Sequence, residues 1–229
     1  MKKIVLIIMT ALSLLLSACA TAKPPSKASE APASEAPQAP TQNAPTASPG
    51  RYTVEGSVIY NENKDTVYDA AQYYDLSWTV WVDNVTEAYG ALYFNEGAVV
   101  NDGISCICDA AQKGAAYAVV KLSLDGNTRQ VLSSKTTPDG YFDVLPFADR
   151  VFFVDGSPER AIVGYTGKDG GNSGTVDLPA EQGESCINAK LDIDGDYLVI
   201  TADFYSADMG VSSSHAYRVD TQLNVERMD

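Results

Sequence analysis

The sequence predicts an all-β domain over residues 51–229, and three observations carry that expectation. The region is rich in Tyr, Val, Gly and Asp, its short apolar runs are separated by turn-forming residues, and no long stretch repeats with the 3.6-residue period of a helix. Its 179 residues are enough for one domain with a sizeable core.

Taken in order, Tyr52-Thr53-Val54, Val58-Ile59-Tyr60 and Trp78-Thr79-Val80-Trp81-Val82 read as strands. Between them, Asp65 to Tyr74 is the one helical candidate, because Val67, Ala70, Ala71 and Tyr74 share a face at helical spacing; the stretch reads equally as a loop. From residue 92 a pattern recurs three times: an aromatic-aliphatic strand, a turn, a Tyr-bearing strand, a second turn and a short closing strand. The first unit holds Leu92-Tyr93-Phe94, the run Tyr117 to Leu124, the turn Asp125-Gly126-Asn127 and Gln130-Val131-Leu132. The second holds Val151 to Val154, Ala161 to Tyr165, Asp169-Gly170 and Gly174 to Leu178. The third holds Asp194-Gly195-Asp196, Tyr197 to Ile200, Ala216 to Asp220 and Asn224 to Met228.

The units lead off near 92, 151 and 197, spacings of about 59 and 46 residues that suit four-stranded blades with one long insertion near 95–116. The expectation is a propeller-like repeat of three or four blades. A fourth would come from 51–90, which lacks the Asp-Gly turn. An open arc of blades, or a β-sandwich assembled from the same hairpins, is the alternative.

The motifs Leu122-Ser123-Leu124-Asp125-Gly126-Asn127 and Asp194-Gly195-Asp196-Tyr197-Leu198-Val199-Ile200 resemble the bacterial lipoprotein domain that is similar to the β-propeller of low-density-lipoprotein receptor-related proteins. The resemblance covers about 117–220 and implies blades, one Asp-Gly turn in each; the family has no known function.

The N-terminus divides into two further segments. Residues 1–18 have the parts of a secretory signal: Lys2 and Lys3, an apolar run from Ile4 to Leu16, then small residues. That run is short of the roughly 20 residues that span a bilayer. Leu16-Ser17-Ala18-Cys19 resembles the lipobox of bacterial lipoproteins, which implies a diacylglyceryl thioether on Cys19, palmitate-type acylation and a mature chain that starts there. Several acyl chains together anchor durably. Over residues 19–50, Cys19 leads a stretch in which 20 of the 31 residues from 20 to 50 are Pro, Ala or Ser, a disordered tether reaching roughly 95 Å if extended as polyproline II. The expected location is the outer face of the cytoplasmic membrane, or the outer membrane in a cell that has one.

The whole chain carries a net charge of −14, and −16 without residues 1–18, which hold Lys2, Lys3 and no acids. Such a surface repels nucleic acid, so the membrane reached through the lipid anchor, an envelope glycan or an envelope protein are the partners to expect.

No catalytic residues, cofactor or complete metal site are read from the sequence. Asp192, Asp194, Asp196 and Asp203 fall at positions 1, 3, 5 and 12 of a calcium-loop template, but Tyr197 stands where that loop requires Gly, and a hairpin turn fits better. Cys106 and Cys108 share a strand face, and a disulfide from either to Cys186 suits an oxidising compartment; the echo of Gly103-Ile104-Ser105-Cys106 in Gly183-Glu184-Ser185-Cys186 instead suggests equivalent buried positions. His215, the sole histidine, follows Ser212, Ser213 and Ser214, but adjacency is no evidence for a triad. Gly167 to Gly174 lacks the Lys-Ser/Thr ending of a phosphate loop. The densest aromatic group runs from Tyr68 to Tyr93; Trp78 and Trp81, three apart on a strand, face opposite sides, and with Tyr74 they form the candidate ligand platform. The function these readings support is a non-catalytic binding or scaffolding module on the cell surface. A glycan-acting hydrolase and a ligand-free envelope structural protein are the alternatives.

Overall fold

A computed structural model describes residues 51–100, 114–136, 140–156, 160–181, 183–206 and 210–228. Among these, fifteen strands make four antiparallel sheets. The first contains β1 (Tyr52–Glu55), β2 (Val58–Asn61) and β3 (Thr66–Asp69). The second contains β4 (Trp78–Ala88), β5 (Ala91–Val100), β6 (Ala115–Ser123) and β7 (Arg129–Lys135). The third contains β8 (Tyr141–Phe147), β9 (Arg150–Gly156), β10 (Ala161–Gly167) and β11 (Gly174–Thr175). The fourth contains β12 (Glu184–Asp194), β13 (Tyr197–Ser206), β14 (Val211–Val219) and β15 (Val225–Met228). Within each sheet the strands pair in chain order, a simple meander.

The sheets stack face to face because their strands alternate with period two. In β5, Leu92 and Phe94 enter a core between the first and second sheets with Ile59, Tyr68 and Val120. Tyr93, on the opposite face, enters a core between the second and third with Tyr117, Val119 and Tyr141. In β9, Val151 and Phe153 join that core, while Phe152 and Val154 join one between the third and fourth sheets, with Leu198, Ile200 and Phe204. The first strands β4, β8 and β12 pack on one another from sheet to sheet. Four sheets thus enclose three cores, and no core cluster of the described residues joins the first sheet to the fourth. Among the described residues the protein is all-β, with four propeller-like sheets stacked in series. The two-layer sandwich is excluded.

The blade boundaries differ from the sequence expectation by one strand. Residues 92, 151 and 197 lie in second strands; the blades begin at Trp78, Tyr141 and Glu184. Trp78–Ala88 therefore opens the second sheet rather than closing the first. Each of these first strands carries a β-bulge against its neighbour, at Asp83/Thr86, Phe142/Leu145 and Cys186/Asn188, which breaks the alternation that advertises a strand. In β8, Pro146 hides the strand further and is accommodated because β8 is an edge. Residues 95–100, read as insertion, belong to β5, and Val176–Leu178 lies beyond the two-residue β11. Thr66–Asp69 is a strand, not helix, followed by a single 3-10 turn, Ala70–Tyr73, whose Ala71 N–H is capped by Asp69 at 3.0 Å.

The Asp-Gly turns are not equivalent. Asp125-Gly126 and Asp169-Gly170 precede fourth strands, whereas Asp194-Gly195 joins β12 to β13. The closer repeat lies in the turns before the last strands of the first, second and fourth sheets. There Asn61 accepts the Asp65 N–H at 2.9 Å, Asp125 accepts the Asn127 N–H at 3.1 Å and Asp220 accepts the Asn224 N–H at 2.9 Å. Side chains of this type satisfy turn backbone locally.

Candidate functional site

The third sheet is short on its outer side, and a cleft results. After Thr175 the Val176 N–H still bonds the Val163 carbonyl at 2.8 Å, but the ladder ends there and Pro179 has no N–H to extend it. The segment crosses to the fourth sheet, where the Tyr217 hydroxyl donates to the Pro179 carbonyl at 2.6 Å. Between this segment, β10 and the start of β12 lies a cleft of about 560 Å³. Small-molecule sites commonly measure about 300–1,000 Å³. Ile162, Val163, Val176, Leu178 and Phe204 supply its apolar lining; Arg160 and Asp177 lie on the side of the third sheet, and Glu184 and Cys186 on that of the fourth.

Register explains the polar wall. Cys186, Phe204 and Ser213 are directly paired across β12, β13 and β14, so they share a face, and Glu184 and His215 lie two residues away on that face. The Ser213 hydroxyl donates to Glu184 Oε1 at 2.8 Å, and the Glu181 N–H donates to Oε2 at 3.1 Å. These bonds, the Ser213 hydroxyl first, hold the Glu184 carboxyl below its ordinary range. His215 Nε2 stands 4.0 Å from the same Oε2. Arg227 Nη2 lies 2.8 Å from His215 Nδ1 and 3.4 Å from its Nε2, so the guanidinium sits against the imidazole. Arg227 also pairs with Glu181 at 3.7 Å. Ser213 gives its proton to Glu184 rather than to the imidazole, so these three residues make a fixed anion, not an activated nucleophile. Burial pushes the Cys186 thiol up, and it donates to the Asn188 carbonyl at 3.2 Å, the state of an unreactive thiol.

A second polar cluster joins the first two sheets. The buried Glu96 carboxylate accepts from the Tyr68 hydroxyl at 2.7 Å, from the Tyr74 hydroxyl at 3.0 Å and from the Arg129 guanidinium. Arg129 Nε donates to the Tyr68 oxygen at 2.9 Å, and its guanidinium lies 4.5 Å from the Tyr73 ring centre. Burial, followed by the adjacent Glu96 charge, drives the Tyr68 and Tyr74 hydroxyls far above the ordinary phenol range. Each group has its partner, and the cluster is a clamp between sheets.

That clamp draws on the aromatic stretch singled out above. Tyr74 and Trp78 pair at 6.0 Å between ring centres, both half-buried. Trp81 lies on the other face of β4, edge-on to Tyr117 at 5.9 Å and against Gly97, where a Cβ would overlap the indole. Trp78 and Trp81 are therefore not brought together. Asp192 and Asp194 are exposed on β12, Gly195 and Asp196 form a two-residue hairpin, and Asp194 lies 3.6 Å from Arg218. No three His, Cys, Asp or Glu groups among the described residues are placed to hold a metal. Cys19, Cys106 and Cys108 lie outside the described residues. Sequence reasoning missed Arg160 and Glu184; the only signals were the Gly183-Glu184-Ser185-Cys186 echo and the serines beside His215.

No known protein family matches the chain, and no curated protein matches it in sequence. Among solved structures it is similar to an oligogalacturonate lyase from Vibrio parahaemolyticus, with a TM-score of 0.50 and 16% identity over 77% of this chain and 49% of the lyase. It is also similar, with a TM-score of 0.36 and 14% identity over 68% of this chain and 45% of the other, to a provisionally named hydrolase from Bacteroides ovatus. The chain spans about half the length of the lyase, and the likeness is one of fold.

Proposed function

We propose that this chain is a binding module of the bacterial envelope: Cys19 carries the lipid anchor, residues 20–50 supply reach, and the cleft between the third and fourth sheets seats the ligand. The observation that carries the reading is the cleft itself, a space of about 560 Å³ lined by both apolar and polar groups, with Arg160 and Asp177 on one side and Glu184 on the other. Preset charges of this kind orient a ligand while apolar walls supply affinity. The test is a screen of the full chain against neutral glycans, peptidoglycan fragments and short peptides, with Ala180→Trp alongside. Ala180 is an exposed lining residue, so an indole there obstructs the opening. A ligand lost at least tenfold in Ala180→Trp supports the cleft; a ligand held equally by both proteins places binding elsewhere. Cys19→Ala should release the protein from membranes to the medium, and continued membrane association would rule out lipidation as the anchor.

A second reading, a glycan-acting enzyme, is favoured by the fold likeness to a lyase named for oligogalacturonate. The chain's net charge of −14 disfavours the approach of a polyanion such as a polyuronate, so neutral glycans are the substrates to test. Neutral glycan left at unchanged length after prolonged incubation would retire that reading.

A further inference from the structure

We infer, building on the cleft as ligand seat, that its ligand is a zwitterion with an apolar body: a short peptide bearing a free ammonium and a free carboxylate. Two charges of opposite sign stand on its two sides. Arg160, just before β10, is exposed and has no hydrogen-bond or ion-pair partner among the described residues, although it lines the cleft. Glu184, the first residue of β12, lines the other side, with a side chain only 6% exposed.

Glu184 is a committed anion. Each of its oxygens accepts one protein hydrogen bond, from Ser213 and from the Glu181 N–H, and a carboxylate has about four acceptor positions, so capacity for an ammonium remains. Arg227 contacts His215 and Glu181; it and His215 act on the Glu184 carboxyl through space, and neither hydrogen-bonds its oxygens. Asp177 on the opposite side adds a second carboxylate, which favours a cationic group and opposes a purely anionic ligand. A neutral sugar would use neither Arg160 nor Glu184 as a charge partner; a simple amine would leave Arg160 unmatched. A molecule carrying both charges answers both sides, with its apolar side chains against the partly exposed Ile162 and Leu178. Charge-assisted bonds at each end fix its direction in the cleft.

The test titrates the full chain, in detergent micelles, with leucine, dileucine and trileucine, and with the N-acetyl and C-amide forms of dileucine. The free peptide is expected to bind at least tenfold more tightly than either blocked form, and the best of the three lengths reports the span between Arg160 and Glu184. Glu184→Gln, which keeps the size of the side chain, should abolish discrimination against the acetylated peptide and retain discrimination against the amide. Arg160→Gln should do the reverse. Equal binding of free and blocked peptides, or discrimination untouched by both variants, overturns the inference. Capture of a neutral glycan lost in Ala180→Trp, with no peptide bound, overturns the zwitterion while leaving the cleft as the seat; no cleft-dependent ligand of any class overturns both.

Discussion

The carboxylate of Asp143 accepts the backbone N–H of Leu191 at 2.9 Å, tying the bulge of β8 to the first strand of the next sheet. The preceding junction has a related link. Asn84, in the bulge of β4, donates to Asn95 Oδ1 at 2.9 Å, and Asn95 donates to the Tyr141 carbonyl of β8 at 3.1 Å. Asp143 and Asn84 both take positive φ, 48° and 55°, a conformation that Asp and Asn enter more readily than other residues with a Cβ. The bulges are thus sites where one blade is fastened to the next. Asp143→Ala should cost about 1–3 kcal/mol, since it leaves a part-buried N–H unpaired. Asp143→Asn, which keeps an acceptor and tolerates the backbone, should cost under about 1 kcal/mol. Urea unfolding midpoints of the two variants distinguish this from a generic loss at the position.

Glu96 and Arg129 form the buried ion pair between the first two sheets, with side chains 0% and 17% exposed. Glu96→Ala strands the guanidinium and two tyrosine hydroxyls and should lower stability by about 3–5 kcal/mol. Replacing both partners, as Glu96→Leu with Arg129→Met, should recover most of that loss, because desolvation offsets much of the pair's attraction. A double variant no more stable than Glu96→Ala would show that the tyrosine bonds, not the charges, hold the sheets.

The tightly bonded carboxylates predict an acid-sensitive fold. Hydrogen bonds from Ser123 and Asn127 lower Asp125 to about 2, and those from Lys121 and Lys168 lower Asp169 to about 2. Asn224 lowers Asp220 in the same way. Each folded value lies below its unfolded one, so the unfolded chain binds more protons between the two and stability falls as pH falls. The melting temperature should drop progressively from about pH 5 toward pH 2, and Asp125→Asn should show a shallower decline. A melting temperature flat across that interval contradicts these bonds.

Gly97 lies under the Trp81 indole, and an added methyl would displace the ring. Gly97→Ala should cost about 1–3 kcal/mol through overpacking. Because Trp78 and Trp81 are the chain's two tryptophans, the displacement should also shift its fluorescence maximum. An unchanged spectrum with unchanged stability would mean that β4 and β5 are packed more loosely than described.

The residues themselves determined the β class, the repeat and the opposite facing of Trp78 and Trp81. These follow from alternation and turn chemistry, which act within a few residues: Asp125-Gly126-Asn127 makes its turn with its own side chains. The same locality misplaced the blade boundaries, because β4, β8 and β12 are bulged and bridge neighbouring sheets, so their pattern is set by partners distant in sequence. Tertiary structure alone decided that Glu184 meets Ser213, 29 residues away, and that Arg160 faces the same cleft. That cleft exists because β11 ends after two residues while β12 runs for eleven, and a mismatch between neighbouring sheets becomes a cavity only once they are stacked.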